Sequence, residues 1–456
     1  MSKATNDPHK ALKRAIWAYF LLILFEGALR KWVLPQLANP LLVVRDPIAI
    51  FLIGYSWYKG VLPNSLMMYG MMALTVAAMV TGLTLGHGNL TVAIYGARIF
   101  LLHFPLIFII GSIFTREDVL KMGEATLWIT LPMAVLIVLQ FYSPQSAFVN
   151  RGIGGNEEGA GFSGANGFMR PPATFSFTNG TAQFFGFAGI FCIYHWLKAE
   201  KVNKLLLLSA SVGILIAIPF SISRTLTFML GLTVASAFVG VGRNPQYIKK
   251  MLITGVILTT LVVLLGNTEL LGPAIDAFLT RFTSASEVEG GMQGAFVDRF
   301  LGGMYDAVLA SPNAPFFGLG IGMGTNAGTQ LLTGDSTGFL ISEGEWGRLI
   351  GEMGLLLGIT AILIRTTLAV KIGVKSIKRI SKGDILPWML FASSCVGILQ
   401  GQWAQPTNLG FNVLMAGLTL AALKPKRTLF RVLKRVEIRS PGSLETGSHL
   451  TSLHVH

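Results

Sequence analysis

The chain has 456 residues, of which 52 % are hydrophobic and only 13 % charged, and its formal charge is +14. Soluble domains carry about 25 % charged residues, so a soluble chain of this composition lacks the polar surface to cover itself. A pI near 9.8 would suggest a nucleic-acid partner in a soluble protein. Here the basic residues fall in short turns between apolar runs, which points to membrane topology and to no nucleic acid.

The apolar runs lie near the ~20 residues that cross a bilayer core. They predict an all-α, polytopic integral membrane protein with about twelve spans, near 15–32, 41–58, 66–85, 94–114, 121–142, 174–197, 204–222, 225–242, 250–268, 346–369, 386–402 and 408–424. No small-residue cleavage site follows Trp17–Phe25, so the first run reads as a retained span rather than a signal peptide. The first pair is crowded by Pro35, Pro40 and Asp46, and the last pair is separated only by Gln402–Thr407. Cys192 and Cys395 fall within spans and read as small apolar helix residues.

Orientation follows from Lys and Arg. With the N-terminus inside, the inner turns collect most of the basic residues, from Lys3, Lys10, Lys13 and Arg14 to Lys424–Arg439. Both termini are therefore expected in the cytoplasm. One transmembrane domain is expected over 1–436, with a disordered polar tail over 437–456 whose histidines lack a metal-ligand constellation. Two outward loops are long, 143–173 and 269–345, and both are expected to contain short helices; long loops are uncommon unless they have a function. The second is acidic and contains Asp276–Phe282 and Phe296–Leu309, which read as short amphipathic helices.

Arginines in these outward segments oppose the charge bias. Arg224 stands in Ser221-Ile-Ser223-Arg224, a turn between two spans. An Arg at membrane depth is costly unless paired, and a forked guanidinium suits two oxygens of a phosphate. Ser221 and Ser223 are candidate supporting hydroxyls; the alternative is an Arg that snorkels to headgroups. Arg170 opens Arg170-Pro-Pro-Ala-Thr-Phe at the end of the first loop, and Arg299 lies in an amphipathic stretch of the second. Both read equally as anion ligands or as solvated cations. Alternating glycines in Phe317-Gly-Leu-Gly320-Ile-Gly322-Met-Gly324 fit no dinucleotide fingerprint. They suit either an anion-binding nest or a compact turn. Glu343 and Glu345 precede a span and suit a general base or a pair of helix-start acids. Arg348 is spaced to pair with Glu345 or Glu352. Glu26, Arg30, Arg98 and His103 are ionisable groups within spans. No metal site or cofactor motif is present in the sequence.

In this order the motifs resemble the O-antigen ligase and O-antigen polymerase family of bacterial envelope glycosyltransferases. The matching passages are Arg170-Pro-Pro-Ala-Thr-Phe, Ser221-Ile-Ser223-Arg224, Arg299 with Ser311-Pro through Gly320-Ile-Gly322, and Glu343-Gly through Glu352-Met-Gly-Leu-Leu-Leu-Gly358. The similarity covers roughly 160–360. Ala173 stands where the family usually has Gly, and Glu343 where ligases have His. The resemblance implies a metal-independent transfer of a glycan from undecaprenyl pyrophosphate to a sugar hydroxyl of an acceptor glycan or glycolipid. Transfer would occur on the outer face of the bacterial inner membrane, as part of polysaccharide biosynthesis for the cell envelope. Arg170, Arg224 and Arg299 would hold the pyrophosphate, and Glu343 or Glu345 would activate the acceptor. The Glu at 343 favours a polymerase or other relative over a lipid-core ligase. The rival expectation is a transporter or flippase-like binder of an anionic or lipid-linked solute, with Arg98, His103 and Glu26 lining its path.

Overall fold

The computed structural model describes residues 7–198, 202–242, 269–288, 303–309, 315–334, 340–342 and 344–425, with short pieces between 248 and 260. The expected tail over 437–456 and most of the expected span 250–268 lie outside the described residues. What is described is mostly helical, and five helices are long and apolar enough to cross a membrane: those within Pro35–Tyr58, Leu66–Thr84, Leu90–Ile113, Arg116–Tyr142 and Glu345–Ile380. Lys204–Phe220, Arg224–Gly240 and Leu386–Gln400 are apolar but shorter.

The helices follow the apolar runs with shifted ends. In chain order they are α1 (Lys10–Ala28), α2 (Asp46–Tyr58), α3 (Leu66–Thr84), α4 (Leu90–Ile113), α5 (Arg116–Tyr142), α6 (Thr178–Leu197), α7 (Lys204–Phe220) and α8 (Arg224–Gly242). They continue as α9 (Gly272–Val288), α10 (Gly303–Leu309), α11 (Asn326–Thr333), α12 (Glu345–Ile380), α13 (Leu386–Gln400) and α14 (Pro406–Ala422). Local chemistry sets several starts. Thr115 and Asp118 form a reciprocal capping box at α5, and Asn89 and Asn203 cap α4 and α7 by accepting backbone N–H groups. The first long loop differs from expectation. It holds two 3-10 turns and a two-stranded antiparallel hairpin, β1 (Phe162–Ala165) with β2 (Phe168–Arg170), rather than short α-helices. Asn166 and Gly167 at its tip have φ of 52° and 79°, the pair of positive angles that an Asn-Gly hairpin turn supplies at low cost.

α14 is buried on every side; only Pro406 and Leu420 of its residues are not buried. A helix that is apolar all round belongs at the centre of a bundle. Gly417 lets it close on Ile110 of α4, and Gly111 of α4 receives Leu420 in turn. α4 is not a regular helix. Residues Ile99–His103 form a π-turn just before Pro105. Proline has no N–H to offer the carbonyl four residues back, and a widened turn absorbs that loss. In a regular helix, residues five apart are splayed by roughly 140°; the wide turn brings Arg98 and His103 onto one carboxylate, that of Asp46. Arg98 Nη1 lies 2.8 and 2.9 Å from its two oxygens, and His103 Nε2 lies 2.9 Å from Oδ1.

The second break is at Gly354 in α12, where φ is 78° and ψ 178°. The carbonyls of Gly351 and Glu352 there accept N–H bonds from Leu319 and Gly320, at 2.8 and 3.0 Å. The glycine-rich segment is thus stitched into the gap in the helix. Its other side lies against α3 and α4: Gly320 abuts the His87 ring and Gly322 the backbone at Val92 and Gly96. His87 Nδ1 accepts from the Asn89 N–H, so its Nε2 carries the proton and donates to Ile321 O at 3.1 Å.

Loop contacts sort into two sets. Lys13 pairs with Asp118 and Arg116 with Asp384, at 2.8 and 2.7 Å, and Lys198 Nζ donates to Gly383 O. These are the turns expected on the basic, inner side. Tyr142 donates to Leu270 O, Asn166 to Thr280, and Asn179 to Gln405, joining loops expected on the other side.

A buried ionic knot ties α12 to α13 and the turn before α14. Glu345 accepts from Arg348 Nε and Nη2 at 3.0 and 2.9 Å, from Arg365 Nη1, and from the Trp403 N–H at 3.1 Å. Arg348 Nη1 also reaches Glu352 at 2.7 Å, whose other oxygen accepts from Gly324 N–H at 2.8 Å. Arg365 further donates to the carbonyls of Ile398, Gly397 and Gly401, and its guanidinium lies 4.2 Å from the Trp403 ring centroid. Removing one partner leaves a buried charge unpaired, at about 3–5 kcal/mol. Arg365→Met is therefore expected to lower the stability of the purified protein by about 3 kcal/mol. Thermal unfolding in detergent checks this, and an unchanged midpoint would contradict the knot.

Candidate functional site

Two expected site residues sit on elements that meet. Arg170 ends β2, and its Nε donates to Ser163 O across the hairpin at 3.1 Å. Phe168 stacks on Phe141 of α5 with centroids 4.3 Å apart. After Arg170 the chain is buried but non-helical through Ser176. Such backbone survives in an apolar bundle only if its polar groups find partners within the protein. They do: Ala173 N–H donates to Gln140 Oε1 at 2.8 Å, and Ala173 O accepts from Lys31 Nζ at 2.6 Å and Gln140 Nε2 at 3.2 Å. Thr174 donates to Leu24 O, Arg30 to Ser176 Oγ, and Thr181 to Pro171 O. Gly27 allows the approach, because a Cβ there would enter the backbone of Thr174–Ser176. The segment following Arg170 is therefore clamped between α1 and α5.

Ala173 has φ 53°, a left-handed angle that glycine adopts freely and alanine does not. This gives a physical reason for a glycine at the position.

Arg224 is half-buried at the first position of α8. The turn before it holds Ile222 at φ 45°. Ser221 Oγ donates to Ile218 O at 3.2 Å, and Ser223 Oγ accepts the Leu226 N–H at 3.3 Å. Both hydroxyls thus bond within the turn, and Ser223 caps α8. The hairpin rests on this turn. At Gly164 of β1 a Cβ would stand 2.8 Å from Ile222 Cδ1. Asn166 Nδ2 donates to Thr280 Oγ1 of α9 at 3.2 Å. The hairpin with Arg170, the turn with Arg224 and the helix with Arg281 thus form one assembly.

Other expected site residues do not join it. Glu345 is buried and its two oxygens are taken by Arg348, Arg365 and Trp403 N–H. It is an anchor of the ionic knot. The glycine-rich segment is packed into the bundle. Gly320 N–H is spent on Glu352 O, Gly324 N–H on the Glu352 carboxylate, and Gly322 is packed on Gly96. Arg299 and Glu343 lie outside the described residues.

Glu26, Arg30, Arg98 and His103 fall into a second buried polar cluster. Arg30 is 3.6 Å from Glu26, and Arg45 Nε 3.0 Å from its other oxygen. Arg45 Nη2 donates to Pro406 O at 2.6 Å, and Gly410 leaves the room in which Arg45 lies. Tyr19 donates to His103 Nδ1 at 2.9 Å, leaving Nε2–H to face Asp46. Sequence reading missed Arg45, Asp46, Lys31, Gln140 and Arg365 as organising residues. Arg365 carried a signal, a lone cation inside an apolar run. Arg45-Asp46 was hidden at a helix start, where charge looks ordinary.

No protein-family model matches the chain, and no curated protein matches it. Among the described residues no group of three or more His, Cys, Asp or Glu is placed to hold a metal ion.

Two outcomes follow. Ala173→Gly is expected to stabilise the protein by about 1 kcal/mol, and Ala173→Val to destabilise it by more, both read by thermal unfolding. Asn166→Cys with Thr280→Cys is expected to form a cross-link under mild oxidation, seen as a shift on non-reducing gels; a pair that stays reduced would place the hairpin away from α9.

Proposed function

We propose that the protein is a membrane glycosyltransferase that moves a glycan from undecaprenyl pyrophosphate to an acceptor sugar hydroxyl. In this reading it crosses the inner membrane about twelve times with both termini in the cytoplasm, and the assembly of hairpin, Ser221–Arg224 turn and α9 faces outward. The observation that carries the reading is that assembly: it joins two arginines, far apart in sequence, on elements held by the bundle. Arg170 and Arg224, with Arg299, grip the pyrophosphate and stabilise it as it leaves. The acceptor, a growing glycan or glycolipid, is activated by Glu343, because Glu345 is occupied by Arg348 and Arg365. No metal is invoked, since guanidiniums supply the counter-charge. The Glu at 343 tilts the reading toward polymerase rather than O-antigen ligase.

A second reading, a transporter or flippase-like binder of an anionic solute, draws on a different observation: Glu26, Arg98 and His103 belong to one buried polar cluster. Purified protein given a lipid-linked oligosaccharide separates the two. Transfer predicts a ladder of products for a polymerase, or a single addition to a glycolipid for a ligase. In Arg224→Ala the product is expected to fall about 10²-fold or more with the protein still inserted, the scale of losing one transition-state donor. Arg224→Lys, which cannot fork, is expected to restore only part. Normal product from Arg224→Ala would sink the transfer reading; a flux defect in Arg98→Gln with normal product would favour transport.

A further inference from the structure

The part of α12 after the break at Gly354, residues 355–380, is about 39 Å long at the rise of an α-helix. The hydrocarbon core of a bilayer is about 30 Å thick, so this helix is longer than the core it would cross. One face of it is exposed from end to end, and the chemistry of that face changes partway. Leu356, Leu363 and Val370 are exposed and apolar, and Arg365, the one charged residue between Gly354 and Val370, is buried. From Lys371 onward the exposed face carries two stripes. Val374 and Ile377 continue the apolar one. Lys371, Lys375 and Lys378, all exposed, form the other, and Lys382 follows in the next turn. On a helical projection the first three lysines fall within about 60° of one another, directly beside the apolar stripe. Other cations of the basic turns are committed to protein partners: Lys13 to Asp118, Arg116 to Asp384, Lys198 to Gly383 O and Arg379 to Leu423 O. Among the described residues no ion pair engages any of the four lysines, and Asp384, the carboxylate of the adjoining turn, is taken by Arg116.

We propose that this end of α12 is a docking surface for anionic phospholipid. The lysines meet the headgroup phosphates, and Val370, Val374 and Ile377 lie along the upper part of the acyl chains. The place where the exposed face turns from apolar to basic marks the headgroup level on the helix itself. Lysine suits that level, because its long stem packs on apolar surface while the ammonium reaches the phosphates, and an acidic leaflet attracts clustered lysines at the end of a span. A purely polar partner would match the lysines and leave the apolar stripe in water; a lipid satisfies both stripes. The proposal rests on the membrane-spanning reading and not on glycan transfer, and it uses none of Arg170, Arg224, Arg299 or Glu343.

The test reconstitutes the full chain in vesicles of equal parts phosphatidylglycerol and phosphatidylcholine, extracts it in mild detergent, and counts the retained phospholipids by mass spectrometry. Phosphatidylglycerol is expected to be retained in preference, and the preference to weaken with added salt. Replacing Lys371, Lys375 and Lys378 together by Gln is expected to reduce the ratio of the two lipids about fivefold or more, the factor that a single lysine contributes at an acidic surface. Replacing the same three by Arg is expected to keep it. A control with the same loss of net charge elsewhere, Lys10→Gln with Arg14→Gln and Lys121→Gln, all exposed, is expected to retain most of the preference. Lys375→Gln alone, expected to show part of the loss, keeps the comparison available if the triple variant fails to fold. The proposal is overturned by a parent with no lipid preference, by a preference that survives the Gln substitutions, or by an equal loss in the control. A poly-glutamate peptide that binds the parent in the absence of any lipid preference would assign the face to an acidic protein instead, and overturns it too.

Discussion

A charge buried between apolar helices has no water to solvate it, so its counter-charge must come from elsewhere in the chain. The architecture around α12 is organised by that requirement. Arg365 lies twenty residues beyond Glu345, and the break at Gly354 divides α12 into two helices between them; the two side chains meet at the α13–α14 junction, where Trp403 N–H and the carbonyls of Ile398, Gly397 and Gly401 complete the coordination. Through Glu352 and Gly324 the same knot holds the glycine-rich segment against the break at Gly354. Ion pairs of this kind add little net stability over an apolar replacement, but breaking one by removing a single partner is strongly destabilising.

The backbone obeys the same rule. Three stretches abandon regular helix inside the bundle, at Leu29–Val33, at Ile99–His103 and at Gly354, and the segment Pro171–Ser176 is not helical at all. The two π-turns keep their bonds within the helix, Leu34 N–H to Leu29 O and Phe104 N–H to Ile99 O, whereas at Gly354 and in Pro171–Ser176 the freed groups meet a neighbouring loop or a side chain. Gln140 illustrates the economy of the solution: one amide satisfies both the N–H and the C=O of Ala173. The clamp that satisfies this backbone also fixes where Arg170 leaves the hairpin, which links a packing requirement to the proposed anion grip.

Much of the architecture was legible in the sequence. The order of the helices follows the apolar runs, and the pairing of loops into two sets agrees with the distribution of Lys and Arg. Arg348 pairs with both Glu345 and Glu352, as the three- and four-residue spacings suggested. The expected count of twelve crossings is not established, since five helices among the described residues are long and apolar enough to cross and α7, α13 and α14 are shorter. The roles of the candidate residues divided. Arg170 and Arg224 were identified by their contrast with the charge rule and are carried by touching elements. Glu345 looked like an available carboxylate only because Arg365 and the Trp403 backbone are distant in sequence.

The sequence by itself determined that the chain is apolar enough for a bilayer, where its helices run and which turns are basic, because these depend on composition and on interactions within a few residues. It also exposed the arginines in segments that the charge bias would place outside. Tertiary structure alone decided which charges are consumed by partners and which remain uncompensated. That depends on contacts between residues up to hundreds of positions apart, such as Lys31 with Ala173 or Arg45 with Pro406, and no local pattern encodes them. The engagement of Glu345 by Arg365 and the Trp403 N–H comes from that long-range pairing.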